Sequence, residues 1–311
     1  MEIILNGVLT IVGIAMLCFG GNWLVSGGVT IAKKFRINNL IIGMTIVAYG
    51  TSTPELAASI AASGEHSAII LGNIVGSNIA NIGLVVGLAS VLVPLAVSKS
   101  SLKNDIPIML AVSFLLVLIS IDGEISQYDG ILLLGVLGVF AFYTYNDAKK
   151  QRENSLEEIV LEKNNIYLKS AGFIGLGIVL LYVGAMLTVD NAVILAKEFG
   201  LSEKIIGLTV IAIGTSLPEL ITSMIAIKKG HTDIGVGNII GSNIYNILMI
   251  MGVGAVLGGV IVSSDVYIDY AIMIIFSASL LIALKTGFIN RTMGICLTIG
   301  YFAYLIVTFF K

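Results

Sequence analysis

Two short sequences, one in each half of this chain, each contain a glutamate within a long apolar stretch. They read GTSTPE from Gly50 to Glu55 and GTSLPE from Gly214 to Glu219. A carboxylate at bilayer depth costs at least about 2.5–3.5 kcal/mol unless it meets a partner or water. No Lys or Arg lies deep in an apolar stretch to neutralise either glutamate. We therefore expect the partner of these two carboxylates to be a mobile cation.

A second repeated motif follows each of these and offers neutral oxygen atoms. It reads GNIVGSNIAN from Gly72 to Asn81 and GNIIGSNIYN from Gly237 to Asn246. In a helix its first Asn, its Ser and its last Asn are spaced i, i+4 and i+8, so they form one polar stripe. Carboxylate, hydroxyl and amide oxygens are hard ligands that suit Ca²⁺, Na⁺ or Mg²⁺. Because two carboxylates balance one divalent cation, the set favours Ca²⁺.

The first motif also fits a purely structural role. Ser52 and Ser216 are each followed three residues later by the glutamate, as in a capping box, and a proline falls in the first turn. On that hypothesis the motif only restarts a broken helix. A break at bilayer depth is tolerated where the backbone is buried or lines a cavity. Such a break would free backbone carbonyls, which we place at Ala48 and Ala212.

The second motif has a structural alternative as well, because amides and hydroxyls hydrogen-bond helices together in membranes. Both roles stay open for the asparagines at its start and middle, which are Asn73, Asn78, Asn238 and Asn243. Ion lining is favoured for the residues placed deeper, which are Ser77, Asn81, Ser242 and Asn246.

The composition is that of a membrane protein. Of the 311 residues, 57% are hydrophobic and only 12% are charged, and the mean hydropathy is +1.02. A soluble domain carries about 25% charged residues. The net charge of −2 and the lack of a basic patch argue against a nucleic-acid partner. Both cysteines lie in apolar runs, so no disulfide framework is implied.

The apolar runs predict an all-α membrane protein with ten transmembrane helices. These lie at about 7–32, 38–62, 68–93, 105–121, 128–146, 168–197, 203–227, 232–258, 266–284 and 293–310. A short polar linker, 146–167, separates a first repeat, 1–145, from a second, 168–311. Because each half has an odd number of spans, the second enters the membrane from the opposite side. The halves are thus predicted to be inverted five-helix repeats whose glutamates meet near the midplane.

Basic residues predict the orientation of the chain. With the amino terminus outside, every Lys and Arg except Lys197, Lys204 and Lys311 falls on the inner side. The positive-inside rule then places both termini outside and the linker in the cytoplasm. The linker is too short for a folded regulatory domain. A monomer in a prokaryotic cell membrane is the simplest expectation.

The paired motifs resemble the alpha-repeats of the sodium/calcium exchanger family, within the cation/calcium antiporter superfamily, over essentially the whole chain. The resemblance implies that Glu55 and Glu219 are shared carboxylate ligands for Na⁺ and Ca²⁺, which compete for overlapping sites. It also implies that the first and sixth spans slide across the bundle to alternate access. The further ligands it implies are Thr51, Thr215, Ser52, Ser216, Ala48, Ala212, Ser77, Asn81 and Ser242.

One residue departs from the family pattern. Where characterised sodium/calcium exchangers tend to have an aspartate in the second repeat, this chain has Asn246, which faces Asn81 of the first repeat in a pseudo-symmetric site. If that aspartate is normally protonated, Asn246 imitates it and little changes. If it must ionise, the coupling ion or the stoichiometry differs here.

Other functions remain as alternatives at this stage. H⁺-coupled or K⁺-dependent Ca²⁺ exchange would use the same glutamates. A passive cation channel would not need inverted repeats, and an intramembrane protease would need a paired-aspartate motif that the chain lacks. Nothing resembles a phosphate-binding loop, so an ion gradient rather than ATP is expected to drive transport. We therefore expect a transporter of Ca²⁺ and Na⁺ that is not an enzyme and has no cofactor.

Overall fold

The chain forms a helical membrane protein. The computed structural model describes residues 2–64, 67–98, 101–153, 165–200 and 212–310. Within these ranges seven helices are long and apolar enough to cross a membrane. They are Ile3–Phe35, Ser67–Leu92, Gln127–Lys150, Leu168–Glu198, Thr232–Gly258, Val266–Thr286 and Arg291–Thr308. The predicted helical membrane class is confirmed.

The first half contains eight α-helical segments, several of them joined by short π-helical turns. The α-helices are α1 Glu2–Phe35, α2 Asn39–Ile42, α3 Ala48–Thr51, α4 Thr53–Ala61, α5 Ser67–Ala80, α6 Gly87–Leu92, α7 Ile106–Ile119 and α8 Gln127–Glu153. The π-helical turns are Gly43–Val47, Asn81–Val86 and Ser101–Asp105.

The described part of the second half has a similar series of helices. Its α-helices are α9 Asn165–Glu198, α10 Ala212–Thr215, α11 Leu217–Lys228, α12 Thr232–Tyr245, α13 Gly252–Gly258, α14 Val266–Ser279, α15 Ala283–Thr286 and α16 Arg291–Phe310. A π-helical turn, Asn246–Met251, joins α12 to α13, and a 3₁₀ turn, Leu280–Ile282, joins α14 to α15.

Several of the ten predicted spans differ from the observed helices in their boundaries. The span predicted at 38–62 is the broken series α2 to α4, and α8 continues past the predicted end at 146 to Glu153. Residues 154–164 of the predicted linker and residues 203–211 of the predicted seventh span lie outside the described residues. Polar residues after 146 extend α8 because Lys, Gln, Arg and Glu are good helix formers in water.

Four two-residue strands connect the ends of helices. They are β1 Leu95–Ala96, β2 Glu124–Ile125, β3 Val260–Ile261 and β4 Phe288–Ile289. The pairs are β1 with β4 and β2 with β3, both antiparallel. Each pair thus joins one strand of the first half to one of the second.

The two helices that carry the second motif form the centre of the bundle. In their most apolar windows, 78% of Ser67–Leu92 and 83% of Thr232–Gly258 is buried inside the protein. No other of the seven long helices exceeds 28%. Most polar side chains on these two helices are therefore buried inside the bundle, away from lipid.

Helices α1 and α9 pack against each other through glycines spaced one heptad apart. A Cβ on Gly13 would lie 2.8 Å from the Gly184 carbonyl oxygen, and one on Gly20 would lie 2.8 Å from the Gly177 carbonyl oxygen. The backbones can approach this closely because glycine has no side chain. α1 and α9 thus form one closely packed pair.

Helix α12 packs equally closely on the broken helix of the first half. A Cβ on Gly237 would lie 2.5 Å from the Leu40 carbonyl oxygen, and one on Gly241 would lie 2.6 Å from the Met44 carbonyl oxygen. The two glycines are one turn apart on α12. They bring the second motif of one half against the first motif of the other.

We predict that Gly241→Ala destabilises the protein by about 1–3 kcal/mol, because the added methyl group overpacks a rigid backbone contact. The measurement is thermal unfolding of the detergent-solubilised protein. Gly138→Ala is the matched control, since a Cβ there meets nothing within 4 Å. The packing account would be wrong if Gly241→Ala unfolded at the same temperature as Gly138→Ala.

Candidate cation site

The first motif interrupts its helix at a single residue in each half. Ser52 has φ −83° and ψ 8°, and Ser216 has φ −87° and ψ 2°, between helices on either side. Pro54 and Pro218 fall in the first turn of α4 and α11. The fixed φ of proline suits a first turn, where its missing N–H does no harm.

The capping-box hypothesis is wrong for this structure. Neither Ser52 nor Ser216 makes a side-chain capping hydrogen bond. The Ser52 Oγ instead donates to the Glu219 Oε1 across the protein, at 3.1 Å. The hydroxyl predicted to cap its own helix thus contacts the carboxylate of the other half.

The expectation that the break frees the Ala48 carbonyl is also wrong. That oxygen accepts from the Ser52 N–H at 3.0 Å and from the Thr51 hydroxyl at 3.2 Å. The physical reason is helical register, because each N–H donates to the carbonyl four residues earlier. Residue 54 would donate to the Gly50 carbonyl, but it is a proline and has no N–H, so the carbonyl that loses its donor is that of Gly50. Its counterpart Ala212 begins α10.

Glu55 and Glu219 are both buried, each only 1% exposed. The Glu219 Oε1 accepts from Ser52 at 3.1 Å and from the Ser242 hydroxyl at 3.4 Å. The Oε2 atom of each glutamate has no hydrogen-bond partner. Within the described part of the chain, no Lys, Arg or His forms an ion pair with either carboxylate. Each therefore presents at least one uncompensated oxygen inside the protein.

Thr51 links the first motif to the second motif of the other half. Its hydroxyl oxygen lies 3.1 Å from the Asn238 Oδ1 and 3.4 Å from the Ser242 hydroxyl oxygen, and its one proton can go either to Asn238 or to the Ala48 carbonyl. Thr51 and Ser242 are fully buried, whereas Thr215, the counterpart of Thr51, is partly buried. The structure thus brings Thr51, Ser52, Ser242 and Glu219 together, as the resemblance implied.

Four asparagines form a hydrogen-bonded ring between the two central helices. Asn78 Nδ2 donates to the Asn243 carbonyl oxygen at 3.2 Å, and Asn243 Nδ2 donates to the Asn78 carbonyl oxygen at 3.3 Å. Asn81 Nδ2 donates to Asn243 Oδ1 at 3.0 Å, and Asn246 Nδ2 donates to Asn78 Oδ1 at 2.9 Å. The ring is nearly two-fold symmetric. Asn81 and Asn246 each begin a π-helical turn, a feature frequent at functional sites.

Asn73 and Asn238 hold neighbouring helices together, as the structural alternative proposed. Asn73 Nδ2 donates to the Glu55 carbonyl oxygen and to the Ser59 hydroxyl, both at 3.2 Å. Asn238 Nδ2 donates to the Ser223 hydroxyl at 2.9 Å. These bonds fix the helices that carry Glu55 and Glu219. The sequence did not predict these roles for Ser59 and Ser223, because a single serine on a helix gives no sign of which side chain it contacts.

Buried oxygen atoms without a hydrogen-bond partner concentrate on the predicted ligands. Buried polar groups are nearly always paired in folded proteins, so such a concentration calls for a partner that is not part of the chain. The atoms on predicted ligands are Glu55 Oε2, Glu219 Oε2, Ser77 Oγ, Ser216 Oγ, Asn81 Oδ1 and Asn246 Oδ1. The hydroxyl oxygen of Thr222, on α11, is also buried without a hydrogen-bond partner, and the sequence did not predict it as a ligand.

These atoms could bind a hard cation. Among the described residues no group of three or more His, Cys, Asp or Glu side chains could hold a metal ion. Hydroxyl and amide oxygens would therefore have to complete any shell around the two carboxylates. Ca²⁺ accepts six to eight oxygens at flexible geometry, and Na⁺ accepts the same oxygen types.

A cleft beside the first motif has a volume of about 340 Å³. It lies between one face of α4 and one face of α9 and reaches Thr215 on α10. Pro54, next to Glu55, is among the lining residues. The cleft thus ends against both copies of the first motif.

Comparison with known proteins gives a match to each half separately. The profile of the sodium/calcium exchanger protein family matches residues 5–146 and again residues 169–310. Two similar proteins are the inner membrane protein YrbG of Escherichia coli and the sodium/calcium exchanger MaX1 of Methanosarcina acetivorans. The first is 36% identical over 307 residues, covering 96% of this chain and 94% of YrbG. The second is 32% identical over 348 residues, covering 99% of each chain.

A solved structure has the same fold. The sodium-calcium exchanger NCX_Mj, soaked with 2.5 mM Na⁺ and 10 mM Sr²⁺, superposes with a TM-score of 0.86 at 34% identity. The alignment covers 98% of this chain and 99% of that one.

We predict that Ca²⁺ raises the melting temperature of the purified protein and that Glu55→Gln or Glu219→Gln removes this effect. A ligand at about 100 times its Kd stabilises the folded state by about 2.7 kcal/mol. Without Ca²⁺ the variants should be no less stable than the parent, because an amide avoids burying an uncompensated charge. Glu198→Gln, an exposed acid on α9, is the control and should keep the response. A Ca²⁺ response that survived both buried substitutions would contradict the site.

Proposed function

This chain belongs to the sodium/calcium exchanger family, and we propose that it is a secondary antiporter that exchanges Ca²⁺ for Na⁺ across the membrane by alternating access. The observation that carries the proposal is the pair of buried carboxylates, Glu55 and Glu219, which have free oxygens and, among the described residues, no cationic side chain paired with them. One Ca²⁺ neutralises both charges, and so would two Na⁺. The same oxygens thus serve either ion in turn.

The proposed ligand set is that of the sequence prediction, with one change. The carboxylates of Glu55 and Glu219 form its centre. The neutral ligands are Thr51, Ser52, Ser77, Asn81, Thr215, Ser216, Ser242 and Asn246. The Ala48 carbonyl accepts two hydrogen bonds in this conformation, so it joins the shell only if those bonds break. Ala212 is proposed as a ligand only because it occupies the position equivalent to Ala48 in the second repeat.

The strand pairs support ten spans in two inverted repeats, 1–145 and 168–311, joined by the linker 146–167. In that topology β1 and β4 both lie on the inner side, and β2 and β3 both lie on the outer side, so each pair can form. Equivalent strands of the two halves, β1 and β3, then lie on opposite sides, as inversion requires. An even number of spans in the first half would put β1 and β3 on the same side.

Alternating access is supported by the packing of α1. Gly13 and Gly20 bind it to α9, whereas Gly21 and Gly28 face the rest of the bundle. A Cβ on Gly21 would lie 2.9 Å from the Thr222 hydroxyl, and one on Gly28 would lie 2.9 Å from an Ile42 methyl group. The α1–α9 pair can therefore move as one body across a face where α1 presents glycine. We propose that this movement exposes the site to each side in turn.

Asn246 fits the role of a permanently protonated acid. Its Nδ2 donates to the Asn78 Oδ1 at 2.9 Å within the asparagine ring. A protonated aspartic acid could make that bond, but an ionised aspartate has no donor to offer. We infer that transport here needs no proton release at this position, which favours Na⁺ over H⁺ as the coupling ion.

The proposed setting is a prokaryotic cell membrane, with both termini outside and the linker in the cytoplasm. The charge distribution of the loops supports this orientation. Both carboxylates belong to one chain, so the site is complete in a monomer that contacts only lipid and its ions.

The coupling ion is tested by uptake of radiolabelled Ca²⁺ into proteoliposomes loaded with Na⁺ and diluted into Na⁺-free buffer. A parallel sample carries a pH gradient and no Na⁺, and another adds K⁺. We expect the Na⁺ gradient alone to drive uptake, and Glu55→Gln or Glu219→Gln to abolish it while Glu198→Gln does not. Uptake driven by the pH gradient alone would make the protein an H⁺-coupled exchanger. Uptake with no counter-ion requirement would indicate a channel.

We predict that Asn246→Asp transports like the parent at acidic pH and progressively worse as the pH rises. The protonated acid can replace the amide donor, whereas the ionised form loses the bond to Asn78 and adds a charge. The measurement is the ratio of variant to parent uptake across pH. Asn246→Leu, which has no donor and no ligand oxygen, should fail at every pH. A constant ratio for Asn246→Asp would contradict the role given to this amide.

A further inference from the structure

The cleft between α4 and α9 has one charged residue, Asp190, in an otherwise neutral lining. The face of α4 that lines it consists of Pro54 and three alanines, Ala57, Ala58 and Ala61. These positions lie on one side of the helix, three or four residues apart. Because their side chains are small, the two helices leave a gap. The gap has a volume of about 340 Å³.

The opposite wall is the face of α9 from Tyr182 to Asp190. Of the residues lining the cleft, Asp190 alone carries a charge, and the others on this face include Ala185, Met186 and Val189. Asp190 is exposed, and no salt bridge with another described residue occupies its carboxylate. An acid at the mouth of an apolar cleft acts on ions strongly, since walls of low dielectric focus its field into the gap.

The cleft leads from Asp190 to the first motif. Pro54 lies next to Glu55, and Thr215 lies next to Ser216. The α4 face extends seven residues from Pro54 to Ala61, which is about 10 Å at 1.5 Å per residue. An ion at the mouth of the cleft would thus be a short distance from the carboxylates.

We propose that Asp190 is a positioning residue that concentrates cations in this cleft before they reach Glu55 and Glu219 from the outer side. The inference rests on the proposed function, since it assumes that the transported ions bind there. Asp190 contributes no ligand to the bound ion. It acts through its charge, so its effect depends on the valence of the ion and on the salt concentration.

The size of the effect follows from Coulomb's law. At about 10 Å in water, one negative charge raises the local concentration of a divalent ion about fourfold and that of a monovalent ion about twofold. Salt at about 1 M, with a screening length of about 3 Å, removes most of the effect. A purely structural role of Asp190 would show neither dependence.

The test is exchange of external radiolabelled Ca²⁺ for internal Ca²⁺ in right-side-out membrane vesicles, with choline chloride to vary the ionic strength. At low salt Asp190→Asn should raise the KM for external Ca²⁺ about fourfold and leave the maximal rate unchanged. At high salt the variant and the parent should converge. Competition by external Na⁺ should weaken about twofold, and Asp190→Glu should restore the parent values. Glu198→Gln, two turns further along α9, is the control and should change nothing.

Two results would overturn the proposal: an unchanged KM in Asp190→Asn, or a reduced maximal rate that is the same at every salt concentration. Ca²⁺ self-exchange needs no Na⁺, so it also separates this proposal from the coupling mechanism. If the parent protein self-exchanged Ca²⁺ but did not respond to a Na⁺ gradient, the proposed Na⁺ coupling would be wrong. The KM of Asp190→Asn relative to the parent would still test the role of Asp190.

Discussion

The structure is organised around two negative charges that, in the part of the chain the structure describes, have no positive side chain paired with them. Glu55 and Glu219 are buried in the middle of an apolar bundle, where an isolated charge is costly. A lysine or arginine would neutralise them permanently and leave nothing to transport. Because the described residues place none there, we expect the protein to be most stable when a cation occupies the site. In the proposed mechanism, that dependence couples ion binding to conformational change.

Several hydrogen bonds around the carboxylates join the two halves of the chain. Ser52 of one half donates to Glu219 of the other, and Thr51 does the same to Asn238. The asparagine ring adds reciprocal bonds between the central helices. Glycines on α12 allow the backbones to approach closely enough for these bonds to form. The site is therefore a property of the interface between the halves, and neither half contains it alone.

The sequence predicted the class, the approximate helices and most of the residues that meet at the centre, because duplicated polar motifs in apolar segments leave few other arrangements. It did not predict local hydrogen bonding. Ser52 was equally suited to capping its own helix, and only the packing of the second half decides that it contacts Glu219. The carbonyl left without a donor depends on helical register, which is why Ala48 was chosen wrongly. Thr222 was missed because a threonine on an ordinary helix gives no signal of its surroundings.

The most direct test of the account is to locate the ion itself. Crystals of the protein soaked with Sr²⁺, a heavier substitute for Ca²⁺, can be measured at a wavelength where strontium scatters anomalously. The account predicts one strong peak between the Oε2 atoms of Glu55 and Glu219, at roughly the 2.3–2.6 Å expected for Ca²⁺-type ligation. The peak should vanish in excess Na⁺. A peak elsewhere in the protein, or none at a saturating Sr²⁺ concentration, would contradict the claim that these two carboxylates hold the transported cation.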